Sequence, residues 1–137
     1  MARDAINVAL PTQDATQSVE SVKITKQAVT QANGIKINNA FKNKNNSLQI
    51  TVENTYATAD STLTVKAGDN YPNKMLGDLS VPLPAPTAST EAQPTVVLIE
   101  DISRFENRDG SVNLDFSTSF TGNVWAVAKR AGLKPVD

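Results

Sequence analysis

Apolar and polar residues alternate along most of this chain with a period of two. Leu48, Ile50 and Val52 alternate with Gln49, Thr51 and Glu53, and Leu63, Val65 and Ala67 alternate with Thr62, Thr64 and Lys66. Successive side chains of a strand point to opposite faces, so each run predicts a strand with one apolar face. Together the two runs read as an antiparallel pair over a shared core. Val112, Leu114 and Phe116 repeat the pattern, and Val124, Trp125 and Val127 fall in a last strand over residues 123–128. Val19, Val22, Ile24, Ile35 and Ile37 are further β-forming positions, and Leu76, Leu79, Val81 and Leu83 support another short strand. Residues 95–100 (TVVLIE) break the alternation. A continuous β-branched run of this kind predicts a strand buried on both faces or at the centre of a sheet.

Turn signals separate these runs. Asn33-Gly34 and Asp109-Gly110 accept the positive φ of tight turns, and the second, lying between alternating segments, predicts a hairpin. Gly77-Asp78 marks a turn or bulge, residues 38–46 form an Asn- and Lys-rich loop, and Pro82, Pro84 and Pro86 end the strand before them. No segment has a convincing helical period. The expected fold is all-β: an antiparallel β-sandwich or jelly-roll-like domain of eight or nine short strands over residues 19–128. Residues 1–18 read as an extended N-terminal arm with at most a short strand at 6–10, and residues 129–137 as a basic tail.

Composition narrows the chemistry. The chain has 137 residues, 39% of them hydrophobic and 5% aromatic, and no cysteine or histidine. No disulfide framework is possible. The commonest general base, the commonest metal ligand and the usual partner of a serine nucleophile are missing, which argues against an enzyme. Glu100-Asp101 is the only adjacent carboxylate pair, and on a strand its members point apart. Asp69, Asn70, Asp78 and Asp109 are oxygen donors in turns, yet no EF-hand spacing joins them, so no metal or cofactor is expected. Trp125, flanked by Val124, Ala126 and Val127, reads as a core or interface residue; exposed, it would be a sugar-stacking platform.

Charge is close to balanced at −1, and basic residues are not interleaved with aromatics, so neither a nucleic-acid footprint nor a single-strand platform is expected. Residues 1–44 hold six basic and three acidic groups, residues 45–128 four and ten, and residues 129–137 three and one. Basic ends on an acidic body suggest termini that dock onto acidic surface. No stretch is long and apolar enough for a membrane span, and residues 1–10 do not look like a secretory leader.

Three stretches, residues 48–55 (LQITVENT), 61–68 (STLTVKAG) and 77–82 (GDLSVP), resemble small virion proteins of tailed bacteriophages. Residues 103–116 (SRFENRDGSVNLDF) and 122–127 (GNVWAV) are similar to the same group, the capsid decoration (cement or auxiliary head) proteins. The resemblance spans about residues 33–128 and consists of strand-and-turn patterns. It implies a β-sandwich made in the host cytoplasm that binds the exterior of an assembled capsid and bridges major capsid protein subunits, with a homotrimer as one implied state. Exposure and charge select the expected contacts: Arg3, Asp4, Ile6 and Val8 in the arm, Lys42 and Lys44 in the loop, and Lys129, Arg130 and Lys134 in the tail. The alternatives are another virion component, such as a head-fibre base or tail protein, and a carbohydrate-binding adhesin presenting Trp125, Tyr56 or Tyr71.

Overall fold

Alternation becomes strand almost wherever the chain shows it. The computed structural model describes residues 2–9, 12–14, 19–21, 23–38, 40, 45–56, 59–69, 73–86, 94–100 and 102–130. In chain order the strands are β1 (Asp4–Asn7), β2 (Thr12–Asp14), β3 (Val19–Ser21), β4 (Gln27–Ala28), β5 (Ile35–Asn38), β6 (Asn45–Asn54) and β7 (Ser61–Val65). They continue with β8 (Leu79–Leu83), β9 (Thr95–Ile99), β10 (Val112–Phe116) and β11 (Gly122–Arg130). Single helical turns, α1 (Asn73–Leu76) and α2 (Ile102–Phe105), sit before β8 and after β9.

Nine strands form two sheets, a five-stranded one in the order β1-β5-β10-β7-β8 and a four-stranded one in the order β4-β11-β6-β9. The short β2 and β3 make a separate antiparallel pair. Within the two sheets every ladder is antiparallel except that of β1 with β5. The fold is therefore all-β and sandwich-like. Its core takes alternate residues from both sheets: Ile35, Ile37, Leu63, Val65, Leu83, Val112 and Leu114 from the first, and Leu48, Ile50, Val52, Ile99, Val124 and Ala128 from the second.

The expected pairing of residues 48–52 with 63–67 is corrected. β6 pairs with β11 and β9, whereas β7 pairs with β10 and β8, so the two runs lie in opposite sheets. They do share a core, because each turns its apolar face inward from its own side. Periodicity reports which face is buried, not which strand lies alongside. The Asp109-Gly110 hairpin is corrected too. Gly110 takes φ 83° in a tight turn that closes with Asn107 N–H donating to Ser111 O at 2.9 Å. The element before this turn is α2, and β9 and β10 belong to different sheets.

Residues 95–99 also differ from their expectation. β9 lies at the edge of its sheet, Val97 and Ile99 face the core, and Val96 and Leu98 are 48% and 71% exposed. An apolar run without alternation has the same letters whether its second face is buried or open to solvent.

Within the stretch read as an arm, residues 4–9 are hydrogen-bonded into both sheets. Asp4 N–H donates to Gly34 O at 3.2 Å as β1 joins β5. Five residues on, Ala9 N–H donates to Ala126 O at 2.8 Å and Ala9 O accepts from Ala128 N–H at 3.1 Å. The segment thus leaves one sheet and bridges to the other along one side of the sandwich. At the far side Asn54, 4% exposed, couples the sheets again: its Nδ2 donates to Leu83 O at 3.0 Å and its Oδ1 accepts from Tyr56 N–H at 2.9 Å.

Candidate functional site

The outer face of the four-stranded sheet is built by register. Trp125 lies opposite Thr51 and Thr51 opposite Val96; in the next row Val127 lies opposite Gln49 and Gln49 opposite Leu98. All six side chains project away from the core, since their neighbours Val52, Ile50, Val97, Val124 and Ala126 project into it. Thr51 is nevertheless 5% exposed between its larger neighbours. The result is a surface that runs from a half-buried indole to two open aliphatic side chains on a free edge strand. Single exposed apolar residues are ordinary; here two lie adjacent on one face of a strand that has no outer neighbour among the described residues, which makes this face the candidate interaction surface.

Trp125 anchors the other end of this face. Its ring lies 5.4 Å from Lys26 Nζ, which is held 3.1 Å from Glu53 Oε1, and Asn123 Nδ2 donates to the same oxygen at 3.3 Å. A cleft of about 420 Å³ is lined by Trp125 and Ala126 together with residues 5–9 and with Lys23, Ile24, Thr25 and Gln27. The indole is therefore neither in the core nor free on a flat surface.

A second, polar hollow of about 510 Å³ lies at the first sheet among Arg3, Lys36, Asp69, Asn107, Asp109, Ser111 and Asn113. Its charged groups are engaged internally. Lys36 Nζ sits 2.9 Å from Asp109 Oδ2, and Ser111 N–H donates to Asp109 Oδ1 at 3.0 Å. Hydrogen bonds from the Ser111 side chain, then from Lys36, hold the Asp109 carboxyl down at about 2. A carboxyl depressed on folding adds stability above its ordinary value of 3.8 and loses it as pH falls toward its folded value. The urea midpoint is thus expected to decline between about pH 4 and about pH 2, and Asp109→Asn to flatten part of that slope. An unchanged slope in the variant would remove Asp109 from the account.

The structure distributes the residues expected to touch a partner. Arg3 ion-pairs with Asp115 and donates to Leu114 O at 2.7 Å, while Asp4 Oδ1 accepts from Asn33 Nδ2 at 3.2 Å. Ile6 and Val8 pack against the core cluster. Arg3 and Asp4 are thus tied to the five-stranded sheet and Ile6 and Val8 to the core, and all four stay partly exposed. Lys42, Lys44 and Lys134 lie outside the described residues, and Lys129 and Arg130 are placed only as the backbone end of β11. Val96 and Leu98 were missed by sequence reasoning, and the signal at hand was Pro94 directly before the run, which suits an edge better than a sheet centre. Among the described residues no group of three or more Asp and Glu side chains could hold a metal ion. No protein-family model, no curated protein and no solved structure matches the chain.

Proposed function

We propose that this chain is a structural virion protein that binds the outer surface of an assembled phage capsid and stabilises it by bridging major capsid protein subunits. The observation that carries the proposal is the apolar outer face of the four-stranded sheet, open at Val96 and Leu98 on an edge strand. A rigid sandwich that offers such a face binds through shape and burial, and needs no reactive group. The strand-and-turn resemblance supplies the capsid as partner. On a symmetric shell, many copies of a modest contact add up through avidity.

Deleting residues 1–18 would be a poor test, because β1 and Ala9 are joined to both sheets. Point variants on the exposed face avoid that problem. The full chain and the double variant Val96→Ser, Leu98→Ser are to be co-sedimented with expanded, undecorated shells and with unexpanded procapsids. Saturable binding to expanded shells, weakened about tenfold or more in the variant, is the expected result. Failure to bind either shell rejects the reading.

The cleft at Trp125 favours one second reading, a carbohydrate-binding module. An indole beside Asn7, Thr25 and Gln27 combines a stacking surface with amide and hydroxyl groups. Trp125 is the only tryptophan, so its fluorescence reports glycan binding directly.

A further inference from the structure

The sheet edges are not equally protected. β8 carries Pro82 within its paired stretch, β4 is two residues long, and β1 carries Asp4 with Arg3 just before it. Proline, shortness and charge are the ordinary ways in which an edge avoids pairing with another chain. β9 has none of them: its five residues, TVVLI, include no proline and no charge. Among the described residues nothing pairs with its outer side.

The direction of its backbone groups follows from the ladders. Ala126 O and Ala128 N–H point to Ala9, and Gly122 O accepts from Val29 N–H. The even-numbered residues of β11 therefore face away from β6, and the odd-numbered ones face it. By register, Gln49, Thr51 and Glu53 of β6 bond to β11, leaving Leu48, Ile50 and Val52 to bond to Ile99, Val97 and Thr95 of β9. The N–H and C=O groups of Val96 and Leu98 thus point out from the free edge.

We propose that this edge pairs antiparallel with the β9 of a second copy about a two-fold axis at Val97, joining two four-stranded sheets into one continuous sheet. This register places Val96 opposite the partner's Leu98, so the outward N–H and C=O groups of each are matched by those of the other. The exposed valine and leucine side chains then lie side by side on the same face. Glu100 falls opposite the partner's Pro94, whose missing N–H ends the ladder, so no like charges meet. A slip of two residues in one direction would put Pro94 opposite Leu98 and lose a donor. Five residues from each copy make a contact below the ~1,200 Å² of the smaller specific interfaces, so the dimer is weak and concentration-dependent. The pairing stands independently of the capsid reading, and each copy keeps its outer face free for a shell.

The test is sedimentation equilibrium on the full chain without shells, so its failure leaves the capsid reading in place. A monomer–dimer equilibrium is expected, with a dissociation constant between about 10 μM and 1 mM. Leu98→Lys brings an ammonium against the partner's Val96, and Val96→Pro removes an outward N–H while sparing the bonds to β6. Each is expected to weaken the dimer about tenfold or more with circular dichroism unchanged. Register is tested with the single-cysteine variants Val96→Cys and Leu98→Cys, since the natural chain has no thiol. The hydrogen-bonded pair sets Cα atoms about 5.5 Å apart, within disulfide range, so the mixture should cross-link faster than either variant alone. A chain that stays monomeric, associates as a trimer, dimerises equally well in both variants, or shows no preference for the mixed disulfide overturns the proposal.

Discussion

Gly122→Ala is expected to destabilise the sandwich by about 3 kcal/mol or more. A Cβ at this position would lie 1.9 Å from Glu53 O and 2.9 Å from the Phe120 ring. The first of these is main chain in β6, directly across the ladder from the start of β11. It cannot rotate aside as a side-chain end could, so the two strands must separate where the second sheet begins. For a domain of this size such a loss lowers the thermal midpoint by roughly 10 °C. Urea unfolding monitored by Trp125 fluorescence would show a lower midpoint at unchanged slope. A shift worth less than about 1 kcal/mol would mean that the strand ends yield easily, and the close approach would then carry no structural weight.

Phe120→Ala is expected to cost about 3–5 kcal/mol. Phe120 is 2% exposed although it lies in the connection between β10 and β11, and its ring stacks on Phe116 with centroids 4.6 Å apart. Truncation loses the transfer free energy of the ring, opens a cavity where the chain crosses from one sheet to the other, and strips Phe116 of its stacking partner. Because the ring is also one of the atoms that an alanine at 122 would strike, the two substitutions are in contact. Their double variant should therefore cost less than the sum of the single ones, with the remaining penalty set by Glu53 O. Strict additivity in the cycle would show that the ring and the strand start are energetically independent. Against a typical total stability of about 5–15 kcal/mol, either change removes a large fraction.

These two residues lie at a corner that the alternation pattern does not reach. Phe120 and Gly122 sit between the strands expected at 112–116 and 123–128, where the sequence reads as connection. Their importance comes from what the corner encloses: Phe120 N–H donates to Ser117 O at 3.1 Å, and Thr55 N–H to Thr121 O at 2.9 Å. Those partners are far apart in sequence in the second case, and no local pattern announces them.

The candidate site was legible only in part. Trp125 stood out as the one indole in a strand, and its cleft needed the approach of residues 5–9 and 23–27, which are more than 90 positions away in the chain. Val96 and Leu98 were visible as apolar residues, but their exposure depends on β9 having, among the described residues, a neighbour on one side only. Arg3, Asp4, Ile6 and Val8 invited a reading as a free arm because charge and weak periodicity are all that the sequence offers there. Parallel pairing of β1 with β5 and the bridge at Ala9 are long-range and leave no period behind.

By itself the sequence determined that this is an all-β chain, where most of its strands lie, which side of each strand enters the core, and where Gly34, Gly77 and Gly110 turn the backbone with φ of 71°, 77° and 83°. Those properties are local, fixed by side-chain alternation and by backbone sterics within a few residues. Tertiary structure alone decided which strands are neighbours, that β6 and β7 face each other across the core instead of sharing a ladder, and that β9 ends its sheet with Val96 and Leu98 open. Strand partners are joined by backbone hydrogen bonds that every residue except proline can make, so the choice rests on how the whole set of apolar faces closes around one core.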